Sequence, residues 1–227
     1  DFTINAIYSD LHGNLYDPQN GLNDLKQNII RYIGAPEKRI LEDKLRILRY
    51  FRMLSIYSYD NKQIDKNSFQ ASVKKFSNIK LLSKERVTIE IKKLILSNNV
   101  CFSLNYMKEF DLLDYLIKGL QKIKKSDLYN IKKLPDDVLT RIAYLILKSK
   151  VKILDLNKYM QISKQELKDL KNVFKVKYNI NTIEQAKKIK YLYGEKVALI
   201  HYNLFNFDKN RKESIEITKV LNYWKPP

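Results

Sequence analysis

Apolar and polar positions alternate in strand fashion only near the start of the chain; from about residue 37 onward they recur at helical spacing. Residues 2–9 alternate and carry β-branched and aromatic side chains, which predicts a strand. Residues 11–14 read as a turn, 15–16 as a short strand ending before Pro18, 21–27 as a short helix and 29–33 as another strand. Gly34-Ala35-Pro36 interrupts the pattern, with Pro36 near the first turn of a long helix over 37–58 that Asp60-Asn61-Lys62 ends. Further helices are predicted over 66–77, 84–97, 101–118, 136–149, 163–176, 183–193, 195–205 and 210–223. Ser83 and Ser163 stand where N-caps belong, Ser163 with Glu166 as a capping box, and Pro135-Asp136-Asp137 signals a helix start. No internal repeat or low-complexity linker is found. The pattern gives a mainly α protein with a short β segment at its start.

Composition narrows the function classes. With 227 residues, 44% of them hydrophobic, the chain can bury a sizeable core divided among two or more sub-domains. Five Gly and five Pro leave little room for a turn-rich barrel or sandwich. The single cysteine, Cys101, permits no intrachain disulfide and points to a reducing, cytoplasmic setting. One Cys and two His do not make a structural zinc site; a metal here would be a hard ion held by carboxylates and phosphates. No run of apolar residues is long enough for a membrane span, and no signal peptide is read. The chain opens inside a strand-like run and closes on Trp224-Lys225-Pro226-Pro227, so both ends read as cut.

A net charge of +18 and a pI near 9.7 favour a polyanionic partner. An AT-rich gene would inflate Lys, but it would not explain why acids are few. Lys-rich stretches at Lys122, Lys124 and Lys125, at Lys148, Lys150 and Lys152, and at Lys187, Lys188 and Lys190 read singly as solvated faces. Together, with 16 Tyr, they suggest a track for an RNA backbone.

Arginine is used differently. Lys outnumbers it 35 to 8, yet Arg31, Arg39, Arg46, Arg49 and Arg52 fall within 22 residues. A guanidinium supplies a rigid bidentate fork that an ammonium lacks. On a continuous helix turning about 100° per residue, Arg39, Glu42, Asp43, Arg46 and Arg49 share an arc of roughly 120°, and Ile40, Leu45, Ile47, Leu48, Phe51 and Leu54 occupy the remainder. The stripe suits reading a nucleotide base. It is equally what a solvent-facing helix start with i, i+3 ion pairs would show.

Asp1-Phe2-Thr3-Ile4-Asn5-Ala6, then Asp17-Pro18 with Gly21-Leu22-Asn23-Asp24-Leu25, then Ile30-Arg31, then Glu42-Asp43 with Arg46 and Arg49, in that order and spacing, resemble one family. It is the class II tRNA nucleotidyltransferases (CCA-adding enzymes) with the related bacterial poly(A) polymerases. Ser83-Lys84-Glu85-Arg86-Val87, with Glu90 and Lys93-Leu94, resembles that family's last neck motif. The match covers residues 1–97; beyond it the resemblance rests on helical character, charge and the closing Trp224-Lys225-Pro226-Pro227.

The resemblance implies a short β remnant of a nucleotidyltransferase head at 1–33, a helical neck at 34–98, a body at 99–160 and an RNA-binding tail at 161–227. It implies Asp43 and Arg46 as the base-reading pair, and Asn5 and Asp1 as contacts to sugar and phosphates. Arg39 and Arg49 suit triphosphate oxygens or support of the reading pair, and equally a surface salt bridge. Glu42 would orient Arg46, while Arg86 and Glu90, as an i, i+4 pair, would steady the neck. Lys44 departs from the small residue or Pro of many relatives and reads as tolerated. The Mg²⁺ ligands of the family lie upstream of Asp1, so no catalytic or metal-binding residue is expected here and the missing head segment counts as a partner.

Cytosine and adenine each offer an amino donor beside a ring-nitrogen acceptor, so a carboxylate and a guanidinium can select both against uracil and guanine. The implied activity is RNA 3′-end nucleotidyl transfer: addition of CCA to a tRNA acceptor end from CTP and ATP. Poly(A) addition and a non-catalytic helical RNA-binding module remain the alternatives. His12 and His201 read as turn and packing residues.

Overall fold

The computed structural model describes residues 1–58, 64–207 and 211–225, with backbone alone for 211–214. Its contacts divide it into two units, 1–121 and 122–227.

The first unit opens with a 3₁₀ turn over Thr3–Asn5 and an antiparallel ladder of β1 (Tyr8–Ser9) and β2 (Leu15–Tyr16), in register Tyr8 to Tyr16 and Ser9 to Leu15. Helices α1 (Gly21–Lys26), α2 (Pro36–Glu42), α3 (Arg46–Tyr57), α4 (Lys66–Lys74), α5 (Lys84–Leu96), α6 (Val100–Glu109) and α7 (Leu113–Leu116) follow. The strand expected over 2–9 is corrected to a 3₁₀ turn and a two-residue strand. That expected over 29–33 is reduced to a single bridge between Tyr32 and Phe2. The cause is side-chain burial. Thr3 is buried and donates its hydroxyl to Asp24 Oδ2 at 2.7 Å, drawing the chain into the tighter turn. Asp24 in turn accepts Arg31 Nε at 3.2 Å, and Arg31 reaches Asp65 at 3.1 Å, tying this opening segment to the start of α4.

The core of this unit forms around α3. Ile47, Leu48, Tyr50, Phe51 and Leu54 are buried along it, and α5 and α6 pack against it. Phe2, Tyr32 and Tyr50 make one aromatic group, with Tyr32 and Tyr50 stacked at 5.5 Å. Phe51 meets Phe69 and Phe76 edge-on. Buried aromatics of this size carry much of a core's energy.

The second unit holds α8 (Lys125–Asn130), α9 (Val138–Lys148), α10 (Leu156–Tyr159), α11 (Lys164–Val173), α12 (Ile183–Tyr193), α13 (Glu195–Asn206) and α14 (Arg211–Tyr223). Local caps set its boundaries. Asp137 accepts from Thr140 N–H, and Ser163 with Glu166 forms the expected capping box, as Thr182 does with Gln185. Ile180, Ala186, Ile189, Ala198, Tyr202, Ile217 and Leu221 close one core among α12, α13 and α14. The single helix expected over 101–118 is corrected to α6 and α7, parted by Asp111 at φ 55°. Asp60-Asn61-Lys62, expected to end the first long helix, lies outside the described residues. Among the described residues no helix is long and apolar enough to cross a membrane.

Candidate functional site

The helix expected over 37–58 is two helices. It breaks at Asp43, whose backbone is extended at φ −144° and ψ 105°. Asp side chains compete for nearby backbone N–H groups and so favour turns over helix interiors. Here Oδ1 of Asp43 accepts from Leu45 N–H at 3.0 Å, while its carbonyl accepts from Arg46 N–H at 3.1 Å, which starts α3. The stripe drawn for one continuous helix therefore does not exist as such. The break still gathers its charges.

Arg46, on the first turn of α3, is the hub. Its Nε donates to Asp1 Oδ1 at 2.7 Å, and its Nη1 donates to the Arg39 carbonyl at 2.6 Å and to Glu42 Oε2 at 2.7 Å. Its Nη2 has no hydrogen-bond partner among the described residues. The side chain is 13% exposed, so these bonds fix it in one pose. Arg49, one turn on, donates Nη1 to Asp1 Oδ2 at 2.6 Å and lies 3.7 Å from Glu90. Arg39 donates Nη1 to Glu42 at 2.6 Å, and its buried Nε is left without a partner. The hydrogen-bonded Arg46 guanidinium holds the Glu42 carboxyl below the usual carboxylate range. Asn5 sits exposed at the end of the 3₁₀ turn.

The pair expected between Arg86 and Glu90 is not formed. Both residues lie on α5 but point to different partners. Arg86 Nη2 donates to both oxygens of Asp43, at 3.1 and 3.0 Å. Glu90 is buried and accepts Arg52 Nε at 2.6 Å. Helix spacing allows an i, i+4 contact, but opposite charges across α3 and α5 offer closer ones. Two residues of this group went unassigned in the sequence. Arg52 stood out only as one of five clustered arginines. Tyr32 donates its hydroxyl to the Arg46 carbonyl at 3.1 Å and shares a 3.1 Å hydrogen bond with Ser72, bonds that sequence alone does not signal. The whole group sets Arg39, Arg46, Arg49, Arg52 and Arg86 against Asp1, Glu42, Asp43 and Glu90, one net positive charge.

No three His, Cys, Asp or Glu side chains among the described residues converge on a point that could hold a metal ion. The described residues therefore do not fit a Mg²⁺ site. His12 is exposed in the turn, where its backbone N–H donates to Asp10 Oδ1, and His201 is buried with its ring nitrogens 3.1 and 3.0 Å from the Val173 and Tyr178 carbonyls.

The second unit carries 24 Lys and Arg against 11 Asp and Glu, a net +13 of the chain's +18. Lys122, Lys124, Lys125, Lys148, Lys150, Lys152, Lys187 and Lys188 are exposed. Lys190 is corrected from that surface. It is buried, donating to the Leu221 carbonyl at 2.6 Å and pairing with Glu195 at 2.8 Å.

Residues 1–31 match the model of the poly A polymerase head domain, and residues 63–124 match the probable RNA and SrmB-binding site of polymerase A. A CCA-adding enzyme of Staphylococcus aureus is 33% identical over 204 residues, covering 82% of this chain and 49% of the relative. The chain belongs to the family of CCA-adding enzymes and poly(A) polymerases. A second relative, the CCA-adding enzyme of Staphylococcus saprophyticus, is 29% identical over 224 residues, or 98% of this chain and 51% of the relative. The chain thus spans about half the length of these two CCA-adding enzymes.

The fold is that of the CCA-adding enzymes as well. The Bacillus stearothermophilus enzyme in complex with CTP superposes with a TM-score of 0.76 at 22% identity, over 97% of this chain and 56% of that one. The Thermotoga maritima enzyme complexed with tRNA gives 0.63 at 16% identity, over 97% and 58%. Nucleotidyltransferases of this family generally use Mg²⁺.

Proposed function

We propose that this chain supplies the base-reading and RNA-docking parts of an RNA 3′-end nucleotidyltransferase that adds CCA to tRNA from CTP and ATP in the cytoplasm. Residues 1–33 would close a nucleotidyltransferase head, 34–98 form the neck, 99–160 the body and 161–227 the tail. The Mg²⁺ that the family uses is proposed to be held by head carboxylates outside these residues.

One observation carries the reading. Asp43 forms the helix break and Arg46 opens the helix that follows, each held by hydrogen bonds that leave some of its hydrogen-bonding capacity unused. Arg46 keeps the two N–H groups of Nη2, and the Asp43 carboxylate keeps a lone pair. A donor and an acceptor so held suit the Watson–Crick edge of cytosine or adenine. Uracil or guanine would set carbonyl against carboxylate and N–H against guanidinium. Arg49 and Arg39 are proposed to face the triphosphate, with Asn5 and Asp1 toward sugar and phosphates. The relatives named CCA-adding enzymes favour CTP and ATP as substrates, and the excess charge of the second unit suits a tRNA backbone.

Poly(A) addition is the second reading, because both matched family models describe poly(A) polymerases. A tRNA lacking its 3′ CCA separates the two by product, either one CCA or a run of A.

The test of the site is kcat/KM for CTP, ATP, UTP and GTP in the enzyme with a complete head. Asp43→Ala and Arg46→Ala each remove a buried contact worth about 1–3 kcal/mol, so CTP and ATP incorporation falls roughly ten- to a hundredfold. UTP and GTP fall less or rise, because part of the barrier against them is repulsion. A surface ion pair worth about 0–1 kcal/mol would leave the nucleotide ratio unchanged. That result in both variants removes Asp43 and Arg46 from the site.

A further inference from the structure

We propose that α8 and the end of α9 form a site for an unpaired RNA nucleotide, with the Tyr129 ring stacking on its base and the surrounding lysines holding the flanking phosphates. The inference rests on the reading of the second unit as RNA-docking. Two of the lysine-rich runs meet there. Tyr144 of α9 donates its hydroxyl to the Asp127 carbonyl at 3.1 Å, and Lys148 Nζ lies 3.8 Å from Asp127 Oδ1. Residues 122–133 and 148–152, brought together by these bonds, hold eight Lys and a single acid, Asp127. The run at 187–190 lies on another helix, where Glu184 and Glu195 flank it and Lys190 is buried.

Within this patch Tyr129 is presented rigidly. Leu128 and Ile131 are fully buried and anchor the segment, which turns Tyr129 outward, 54% exposed. Helical spacing places Lys125 at i−4 and Lys132 at i+3 from it, one toward each end of the ring. Elsewhere a lysine covers a ring: Lys80 with Tyr115, Lys133 with Phe207, Lys148 with Tyr144 and Lys187 with Trp224, at 4.6–5.9 Å. Among the described residues no ring or cation lies on Tyr129, so its face is open. An open aromatic face with ammonium groups about it is the combination that holds single-stranded RNA, the ring taking any base and the cations the backbone. A paired stem would use the lysines and leave the ring idle, because its bases are stacked inward.

The experiment uses the enzyme with a complete head and two RNA probes of equal charge: an unpaired oligonucleotide carrying a fluorescent adenine analogue, its 3′ end blocked by phosphate, and a blunt duplex. Tyr129→Ala should weaken oligonucleotide binding roughly five- to a hundredfold and remove the quenching that stacking causes, with duplex binding unchanged. Tyr129→Phe keeps the ring and should bind as the parent does. Tyr129→Leu, apolar without a π face, should behave as Tyr129→Ala. The triple variant Lys124→Gln, Lys132→Gln and Lys150→Gln should make the slope of log K against log salt shallower by roughly 2, about 0.7 for each lost single-strand contact. These positions are exposed, so the thermal midpoint and the triphosphate ratio should hold. If the lysine variant weakens binding and Tyr129→Ala does not, the patch tracks a backbone alone and the inference fails. Full binding by Tyr129→Leu overturns stacking in the same way. If no variant changes binding while the parent remains salt-dependent, RNA docks elsewhere and this site is refuted. Parent binding that ignores salt refutes RNA docking itself.

Discussion

Truncating Glu90 tests how the arginine cluster is held. Its carboxylate is 5% exposed and receives Arg52 Nε at 2.6 Å, with Arg49 Nε at 3.7 Å. Removing one partner of a fully buried ion pair costs about 3–5 kcal/mol, chiefly because the other charge is left without compensation. Arg52 is 20% exposed and Arg49 33%, so water takes over part of that role. The expected cost of Glu90→Ala is therefore about 2–3 kcal/mol, below the buried limit and above the 0–1 kcal/mol of a surface pair. Glu90→Gln keeps an oxygen facing Arg52 and loses only the charge assistance, so it should cost about 1 kcal/mol.

Equilibrium urea unfolding followed by far-UV circular dichroism gives these values, and amide exchange in α3 and α5 assigns them to the first unit. A double cycle with Arg52→Ala should return a coupling of about 2 kcal/mol, since the shorter contact carries most of the interaction. A Glu90→Ala cost below about 1 kcal/mol, or a coupling near zero, would mean that the pair is solvated. Arg49 would then be held by Asp1 alone.

Gly21→Ala should destabilise the first unit by about 2–3 kcal/mol, because the added Cβ would lie 2.2 Å from the Thr3 carbonyl oxygen and 2.7 Å from its carbon. Backbone cannot yield as a side chain does; urea unfolding reads the loss, and a cost near zero would show the 3₁₀ turn free to move. His201 has its pKa lowered from the ordinary 6.5, first by burial, with the Val173 and Tyr178 carbonyls acting in the opposite direction. The unfolded chain then binds the proton first as pH falls, so stability is held above the ordinary histidine range and declines below it. His201→Phe should flatten the slope between about pH 7 and 5, and an unchanged slope would assign it to carboxylates. Binding of a tRNA-like hairpin should weaken steeply from low to moderate salt, as the +13 of the second unit requires, and near-constant affinity would exclude a phosphate-tracking surface.

What could be read from the sequence was local. The boundaries of α12 agree with the expected 183–193, and the Ser163 capping box is present, because such signals act within a few residues. The departures are tertiary. Thr3 turns the opening strand into a 3₁₀ segment by bonding to Asp24, 21 residues on. Lys190 leaves the basic surface because α14 brings the Leu221 carbonyl to it. Arg86 abandons Glu90 for Asp43 because α5 packs beside α3, and no helical periodicity contains that fact.

The break at Asp43 shows why the candidate site was legible in its residues and not in its geometry. Glu42, Asp43, Lys44 and Leu45 form a run in which three good helix formers surround one Asp, and propensity alone carries the helix through. Asp43 wins locally by accepting Leu45 N–H, which a helical residue could not do. On an unbroken helix the spacing of Asp43 and Arg46 would follow from the helix itself. With the break, Asp43 takes its direction from Arg86 on α5, and Arg46 takes its pose from Asp1, Glu42 and the Arg39 carbonyl. The distance between the two groups is then a property of the packed unit. A substitution that shifts α5 against α3 should alter nucleotide choice without touching either residue, whereas an unbroken helix would be indifferent to it.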